Sequence, residues 1–156
     1  MKQKILGLLL IAILCVSVVF CDKIDTKAED LGEDIEYSEL LTEDALIGTM
    51  QNQTWGVYLA EGNSIINKIS STKIGAGGNT IAAVKCKVSI TSIVERLVNG
   101  SWVRVTSWTS TTTSGYSASI SKSLTVSTGY YYRVRSSHYA ASDGSSSCTD
   151  ALWMGN

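Results

Sequence analysis

The single histidine of this sequence, His138, is the residue with the widest choice of chemistry. With Asp143 or Asp150 and one of the many serines, it would supply the members of a hydrolase triad, in which the imidazole takes the serine proton. The motif G-x-S-x-G, which marks the nucleophile of one large class of hydrolases, is absent from the sequence. We therefore expect His138 to be a surface or loop residue, and we assign no catalytic residue.

The cysteines allow a second kind of chemistry. Cys148 and His138 would form a thiol nucleophile pair if they met in space. A disulfide between Cys86 and Cys148 is the simpler interpretation in an exported chain, where it would close a loop of roughly 60 residues and stabilise the fold by roughly 4 kcal/mol. Two unpaired thiols are the alternative. Two cysteines and one histidine do not match the four ligands of a structural zinc site, so no metal is expected.

Acidic and glycine-rich segments give no further site. Glu61, Glu95, Asp143 and Asp150 lie in four separate segments, which makes a poor case for the paired carboxylates of a glycoside hydrolase. The run Gly75–Gly78 lacks the lysine and the following Ser or Thr of a phosphate-binding loop. We expect no cofactor.

Aromatic side chains are the more informative feature. Tyr131, together with Trp102 or Trp108, would form an exposed strip of the kind that binds sugar faces or protein partners by stacking. The alternative is that these rings cover the edges and cross-strand neighbours of their own sheet.

Basic residues follow the same strands and would favour anionic cell-wall polymers or membrane surfaces, although they also suit an ordinary soluble surface. No nucleic-acid motif accompanies them, so no nucleic-acid partner is expected. These residues are Lys85, Lys87, Arg104, Lys122, Arg133 and Arg135.

Charge divides the chain into three segments. Residues 1–21 read as a signal peptide, because Lys2 and Lys4 precede the uncharged run Ile5–Phe20, whose 16 residues are fewer than the roughly 20 that span a bilayer. A retained membrane anchor and lipidation at Cys21 are alternatives. Residues 22–52 carry a net charge of −8 and are expected to be an acidic spacer or pro-segment, with a helical turn or two from Ser38 to Met50. A solvated tail is the state expected for this segment, and packing against the basic domain is the alternative. Residues 53–156 carry a net charge of +5 and form the predicted β domain.

Period-two alternation of apolar and polar residues predicts strands throughout that domain. It is clearest where Val84, Cys86, Val88 and Ile90 alternate with polar residues, with a bulge expected near Ser92. Further inward residues are expected along two later strands: Ala118, Ile120, Leu124, Val126, Tyr132 and Val134.

Turn signals separate these strands. Asn99-Gly100 predicts a type I′ hairpin turn. Loops or turns are also expected at 75–79, 110–115, 127–129 and 142–147, and a last short strand at 151–154. Six to eight short strands of this kind predict a single antiparallel β-sandwich, with a closed barrel of the same strands as the alternative.

Three stretches resemble a group of small secreted proteins of clostridia-like Gram-positive bacteria that is described only as a domain of unknown function. They are ERLVNGSWVRVTSW, SISKSLTVSTGYYYRVRSSHYA and CTDALWMG, and GYYYRV is the most specific part. The resemblance covers residues 65–155 and extends loosely to immunoglobulin-like and fibronectin type III domains. It implies export and a β-sandwich, and it carries over no catalytic or binding residue.

We therefore expect a secreted, non-enzymatic binding or interaction module at the cell surface or outside the cell. Its partner would be a cell-wall polymer, a glycan or a protein. A bacteriocin-like effector, restrained by its acidic pro-segment until export, is the first alternative. A hydrolase is the second.

Overall fold

The computed structural model describes residues 31–50 and 56–155, which form eight strands and one helical turn. The predicted signal peptide therefore lies outside the described residues. The elements are β1 Glu33–Asp34, α1 Tyr37–Leu40, β2 Leu46–Thr49, β3 Leu59–Lys68, β4 Lys73–Val98, β5 Ser101–Thr125, β6 Tyr130–Ala140, β7 Asp143–Cys148 and β8 Leu152–Met154.

The strands make one eight-stranded antiparallel sheet that is open rather than closed. Its order is β1-β5-β4-β3-β2, and β6 adds to β4 and also pairs with β7 and β8. The expectation of a mostly β, antiparallel chain is confirmed. The closed alternative is not formed by the residues that the structure describes.

A bend in the two longest strands divides the sheet into halves. Residues 73–82 of β4 lie between β3 and β5, whereas residues 88–96 lie between β6 and β5, and the register shifts between these two stretches. We call β1, β2, β3 and residues 73–82 and 117–125 the first half. The second half is β6, β7, β8 and residues 88–98 and 101–112. Polar contacts between β3 and the strands β6 and β7, which are not paired in the sheet, bring the two halves face to face.

Burial along the strands follows most of the predicted alternation. Val88, Ile90 and Val94 are completely buried, but Val84, at the bend, is 42% exposed. One of the register shifts of β4, between Val94 and Glu95, lies two residues from Ser92, near which a bulge is predicted. The inward residues predicted on the later strands are all buried: Ala118, Ile120, Leu124, Val126, Tyr132 and Val134.

The predicted hairpin turn at Asn99-Gly100 is confirmed. Both residues have positive φ, 49° and 79°, which is the requirement of a type I′ turn. This turn joins β4 to β5, which pair along nearly their whole length. The loop predicted at 110–115 is wrong, because these residues continue β5. Most of the stretch 142–147, predicted as a turn, belongs to β7.

The glycine run is part of a strand, so the break predicted at 75–79 is wrong. Gly75 and Gly77 are needed because other atoms approach the backbone closely. A Cβ on Gly77 would lie 2.0 Å from the carbonyl oxygen of Ile120, and a Cβ on Gly75 would lie 2.9 Å from the Leu40 side chain. The glycines therefore make room for α1 and for the neighbouring strand.

Residues 31–50 of the acidic segment are packed on the first half of the sheet, which differs from the solvated state expected for them. Leu40 is completely buried, and the Asn67 amide donates a hydrogen bond of 2.6 Å to the carbonyl oxygen of Glu39. Lys73 pairs with Glu33 at 2.8 Å, and Lys122 pairs with Asp34 at 3.2 Å. Only Tyr37–Leu40 is helical, and the end of the predicted helix is strand β2. Burial of Leu40 and the backbone pairing of β1 with β5 and of β2 with β3 hold this segment in place, and the two ion pairs add little because both carboxylates are exposed.

Candidate binding face

One surface of the second half carries several aromatic and basic side chains. Tyr132 and Val134 of β6 are buried, so Tyr131, Arg133 and Arg135 project from the opposite, outward surface. Residues directly opposite one another on neighbouring strands share a face. The register places Trp153 opposite Tyr131, Glu95 opposite Arg133 and Arg104, and Trp102 opposite Leu97. We call this surface the outer face: Glu95, Leu97, Trp102, Arg104, Tyr131, Arg133, Arg135 and Trp153.

An exposed aromatic pair lies at one side of the outer face. The ring centroids of Tyr131 and Trp153 are 4.8 Å apart, and the ring planes are tilted by 46°. The two side chains are 43% and 49% exposed. The strand backbones hold both rings, so this apolar surface is presented to solvent in a fixed geometry.

A third ring adjoins the pair through an arginine. The guanidinium carbon of Arg133 lies 4.1 Å from the centroid of the Trp102 ring, which is a cation–π contact. The Nε of the same arginine donates a hydrogen bond of 2.7 Å to Glu95. Arg133 is therefore held from two sides, by a ring and by a carboxylate.

Glu95 fixes the orientation of two arginines. Its other carboxylate oxygen accepts a hydrogen bond of 3.1 Å from Nη2 of Arg135. Burial alone would raise the pKa of the Glu95 carboxyl, but the hydrogen bonds from Arg133 and Arg135 outweigh burial, so its pKa lies below the ordinary value. Glu95 is consequently ionised at neutral pH and acts as a fixed anion between two cations.

The structure brings two of the three predicted aromatic residues together. Trp102 and Tyr131 share the outer face, but Trp108 does not. Trp108 is 6% exposed, and its indole N–H donates to the carbonyl oxygen of Leu31 at 3.1 Å, which makes it a core residue. The sequence alone does not place Trp153 on this surface, because its position depends on the pairing of β8 with β6.

The predicted disulfide is not formed, since Cys86 and Cys148 are both free thiols. Cys148 is opposite Arg135, which is opposite Ile93 on β4, and Ile93 follows Cys86 by seven residues. At about 3.3 Å per residue, the two cysteines lie roughly 20 Å apart along the sheet, whereas a disulfide requires Cα atoms within about 7 Å. Burial raises the pKa of the Cys148 thiol.

His138 is a core residue, so the expectation of a surface or loop histidine is wrong. It lies on β6, is completely buried, and faces the first half of the sheet. Its Nδ1 is 2.7 Å from the Thr80 hydroxyl, and its Nε2 is 2.8 Å from the Ser147 hydroxyl, which is itself 2.7 Å from that of Ser64. Burial lowers the pKa of His138 to about 4, so the ring is neutral at pH 7.

The pair of Ser147 and His138 resembles part of a hydrolase triad only in its distance. Ser147 is 3% exposed, and the partner at Nδ1 is a threonine hydroxyl rather than a carboxylate. Asp143 instead accepts hydrogen bonds from the backbone N–H groups of Tyr58 and Leu59. These groups therefore satisfy one another's hydrogen bonds between the two halves and hold the halves together.

Within residues 31–50 and 56–155, no three His, Cys, Asp or Glu side chains gather in a group that would hold a metal ion. The one helical turn is too short to cross a membrane, and the part of the chain that the structure describes contains no helix that would.

Comparison with known families shows which family the chain belongs to, but that family has no described activity. The model of a family of unknown function, DUF6147, matches residues 20–153, so the chain belongs to that family. The match includes the acidic segment as well as the strands. No curated protein matches the sequence.

Proposed function

For this member of a family without a known activity, we propose a non-enzymatic binding module that acts at the cell surface or outside the cell, with the outer face as its ligand-binding surface. The observation that carries the proposal is the exposed pair of Tyr131 and Trp153 beside the stacked Trp102 and Arg133. Large aromatic side chains that are both exposed and rigid are the usual anchors of binding sites, because they offer apolar area at little cost in conformational entropy.

Export is supported by the N-terminal sequence. Two lysines precede the 16 uncharged residues 5–20, Cys21 follows, and charged residues resume at Asp22. We expect the chain in the culture medium or on the cell surface, beginning at Asp22. Mass spectrometry of fractionated cultures measures both the location and the first residue. A lipid-modified N-terminus at Cys21 would establish the anchored alternative instead.

The packing of residues 31–50 supports retention of the acidic segment. A bacteriocin-like effector that loses this segment would expose the apolar site of Leu40 and leave Lys73 and Lys122 without the carboxylates of β1. The family match, which begins at residue 20, also treats this segment and the strands as one unit. A secreted species that begins near Gln53 would favour the effector hypothesis.

We infer that the two facing halves act as the layers of a β-sandwich. Contacts such as Thr80 to His138 and Ser64 to Ser147 support this description. In immunoglobulin-like domains each strand belongs to one layer, whereas β4 and β5 extend through both halves here. The likeness to that class is therefore limited to the layered arrangement.

Alanine substitution on the outer face tests the binding proposal. Co-sedimentation with purified bacterial cell walls, and a glycan array, are measured for Trp102→Ala, Tyr131→Ala and Trp153→Ala. We expect each substitution to weaken retention at least about tenfold, since an aromatic side chain that becomes buried when the ligand binds contributes more than about 1.4 kcal/mol to the binding free energy. The proposal is overturned if all three variants bind as the unaltered protein does, or if the unaltered protein binds none of these materials.

Tyr139→Ala is the matched control. Tyr139 projects from the same face of the same strand and is 53% exposed. Eight residues separate it from Tyr131, which is about 26 Å at the rise of a β-strand. Its truncation removes an equally exposed ring far from the aromatic pair, so retention should not change.

A further inference from the structure

The outer face combines aromatic rings with a net positive charge. Arg133 and Arg135 both pair with one buried carboxylate, that of Glu95, and Arg104 lies opposite Glu95 on the neighbouring strand. Asp150 is a second acidic residue near this surface, because its charge adds to the effect of burial in raising the pKa of the Cys148 thiol, and Cys148 lies opposite Arg135. Three guanidinium groups against two carboxylates leave the surface positive.

The two arginines of β6 are arranged to bind an anion in addition to Glu95. Arg133 uses Nε for Glu95, and neither of its terminal amino groups has a hydrogen-bond partner among the described residues. Arg135 is 48% exposed in its side chain and engages Glu95 through Nε and Nη2. A guanidinium held flat by a ring on one side and a carboxylate on another loses little freedom when it binds a carboxylate or phosphate.

The two arginines that could bind an anion lie next to the aromatic pair. Arg133 and Arg135 follow Tyr131 on the same strand and the same side of the sheet, with a spacing of about 6.6 Å between alternate residues. A ligand that contacts the rings therefore reaches the guanidinium groups within the length of one or two sugar rings. The tilt of 46° between Tyr131 and Trp153 presents two faces that are not coplanar, which suits puckered rings better than stacked flat bases.

From this arrangement we infer that the ligand is an acidic polysaccharide, one whose sugar rings lie against Tyr131 and Trp153 while its carboxylate or phosphate groups bind Arg133 and Arg135. This inference rests on the proposed function and specifies its substrate class. Charge complementarity selects an acidic polymer over a neutral one, and the aromatic pair selects a sugar chain over a simple anion.

Polygalacturonate and its fully methyl-esterified form test the charge requirement, because they share one sugar backbone and differ only in the carboxylates. Isothermal titration of the unaltered protein should give at least tenfold tighter binding of the acid, with an affinity that falls as salt is raised. Arg133→Gln and Arg135→Gln should each weaken binding of the acid about tenfold and weaken binding of the ester much less. Arg133→Lys keeps the charge and should retain part of the affinity.

Lys87→Gln is the matched control. It removes one exposed positive charge near the bend of β4, away from the aromatic pair, so its effect should stay within twofold. Circular dichroism establishes that each variant is folded before it is titrated.

The outcomes separate this inference from the proposed function. Equal affinity for the acid and the ester, lost in Tyr131→Ala, would overturn the acidic class and leave the binding module in place. The same holds if neither polymer binds while retention on cell walls still depends on Tyr131. Binding of single-stranded DNA or of phosphatidylglycerol vesicles through Arg133, without binding of polygalacturonate, would replace the polysaccharide with those ligands.

Discussion

Leu40 is the residue through which the acidic segment is anchored, and its truncation measures how much of the fold depends on that segment. The side chain is completely buried against the glycine stretch of β4. In Leu40→Ala the floor of the site is the backbone of Gly75 and Gly77, which has no side chains to move into the space. The cavity therefore stays open, and we expect the free energy of unfolding to fall by about 3 kcal/mol, within the range of about 2–5 kcal/mol for such truncations.

Urea denaturation followed by tryptophan fluorescence measures this loss. Trp108 reports on the segment directly, since its indole N–H is bonded to the carbonyl oxygen of Leu31. The control is Leu41→Ala, because Leu41 is the next residue and is 50% exposed. Its truncation should change the free energy of unfolding by less than about 0.5 kcal/mol. Equal effects of the two substitutions, or a loss below about 1 kcal/mol in Leu40→Ala, would refute the integral role of the segment.

Three further predictions concern the interior and the turns. Because burial lowers the pKa of His138 to about 4, the unfolded chain binds a proton that the native chain does not between that pH and the ordinary pKa of about 6.5. The contribution of His138 to the free energy of unfolding should therefore fall by up to about 3 kcal/mol as the pH decreases through this window, and further loss at lower pH should come from carboxylates such as Glu95, whose pKa is lowered by its arginine partners; an NMR titration that gives a native pKa near 6.5 for His138 would contradict this. Cys86 and Cys148 should both react with a thiol reagent in the denatured protein without prior reduction, and a gain in mass on reduction would show a disulfide instead. Gly77→Ala should lower the free energy of unfolding by about 3 kcal/mol, because its Cβ would meet a carbonyl oxygen. Gly100→Ala should lower it by only about 1 kcal/mol, because the residue has positive φ but no atom lies near its Cβ position. Denaturant midpoints in the reverse order would disprove this account.

Local chemistry explains the features that could be predicted from the sequence. The hairpin at Asn99-Gly100 depends on the φ preferences of two residues, and the burial of Val88, Ile90 and Val134 depends on a period of two. Both are properties of neighbouring residues. The placement of Trp102 on the surface of Tyr131 does not follow from alternation alone, because Trp102 is six residues from the buried Trp108 and only the register shift between Val94 and Glu95 puts the two rings on opposite faces.

The features that were missed depend on contacts between distant segments. The glycine-rich stretch 75–79 has the composition of a turn, but it is part of a strand in which glycine makes room for Leu40 and Ile120. His138 resembles an exposed residue until Thr80 and Ser147 surround it with hydroxyl groups. The composition of residues 31–50 indicates a solvated segment because their few apolar residues, Leu40 among them, are scattered, yet one fully buried leucine and the pairing of β1 and β2 with longer strands hold the segment on the sheet.

The long hairpin of β4 and β5 has a consequence for how the chain folds. Both strands run from one half of the sheet into the other, and a two-residue turn joins them. Zippering from that turn closes a short loop first, so the cost in chain entropy is small at the start and the growing ribbon supplies the template for both halves. The central strand β3 of the first half and the central strand β6 of the second half each pair with this ribbon. Loss of the ribbon therefore removes pairing partners from both halves, and the molecule should melt in a single cooperative transition rather than one half at a time.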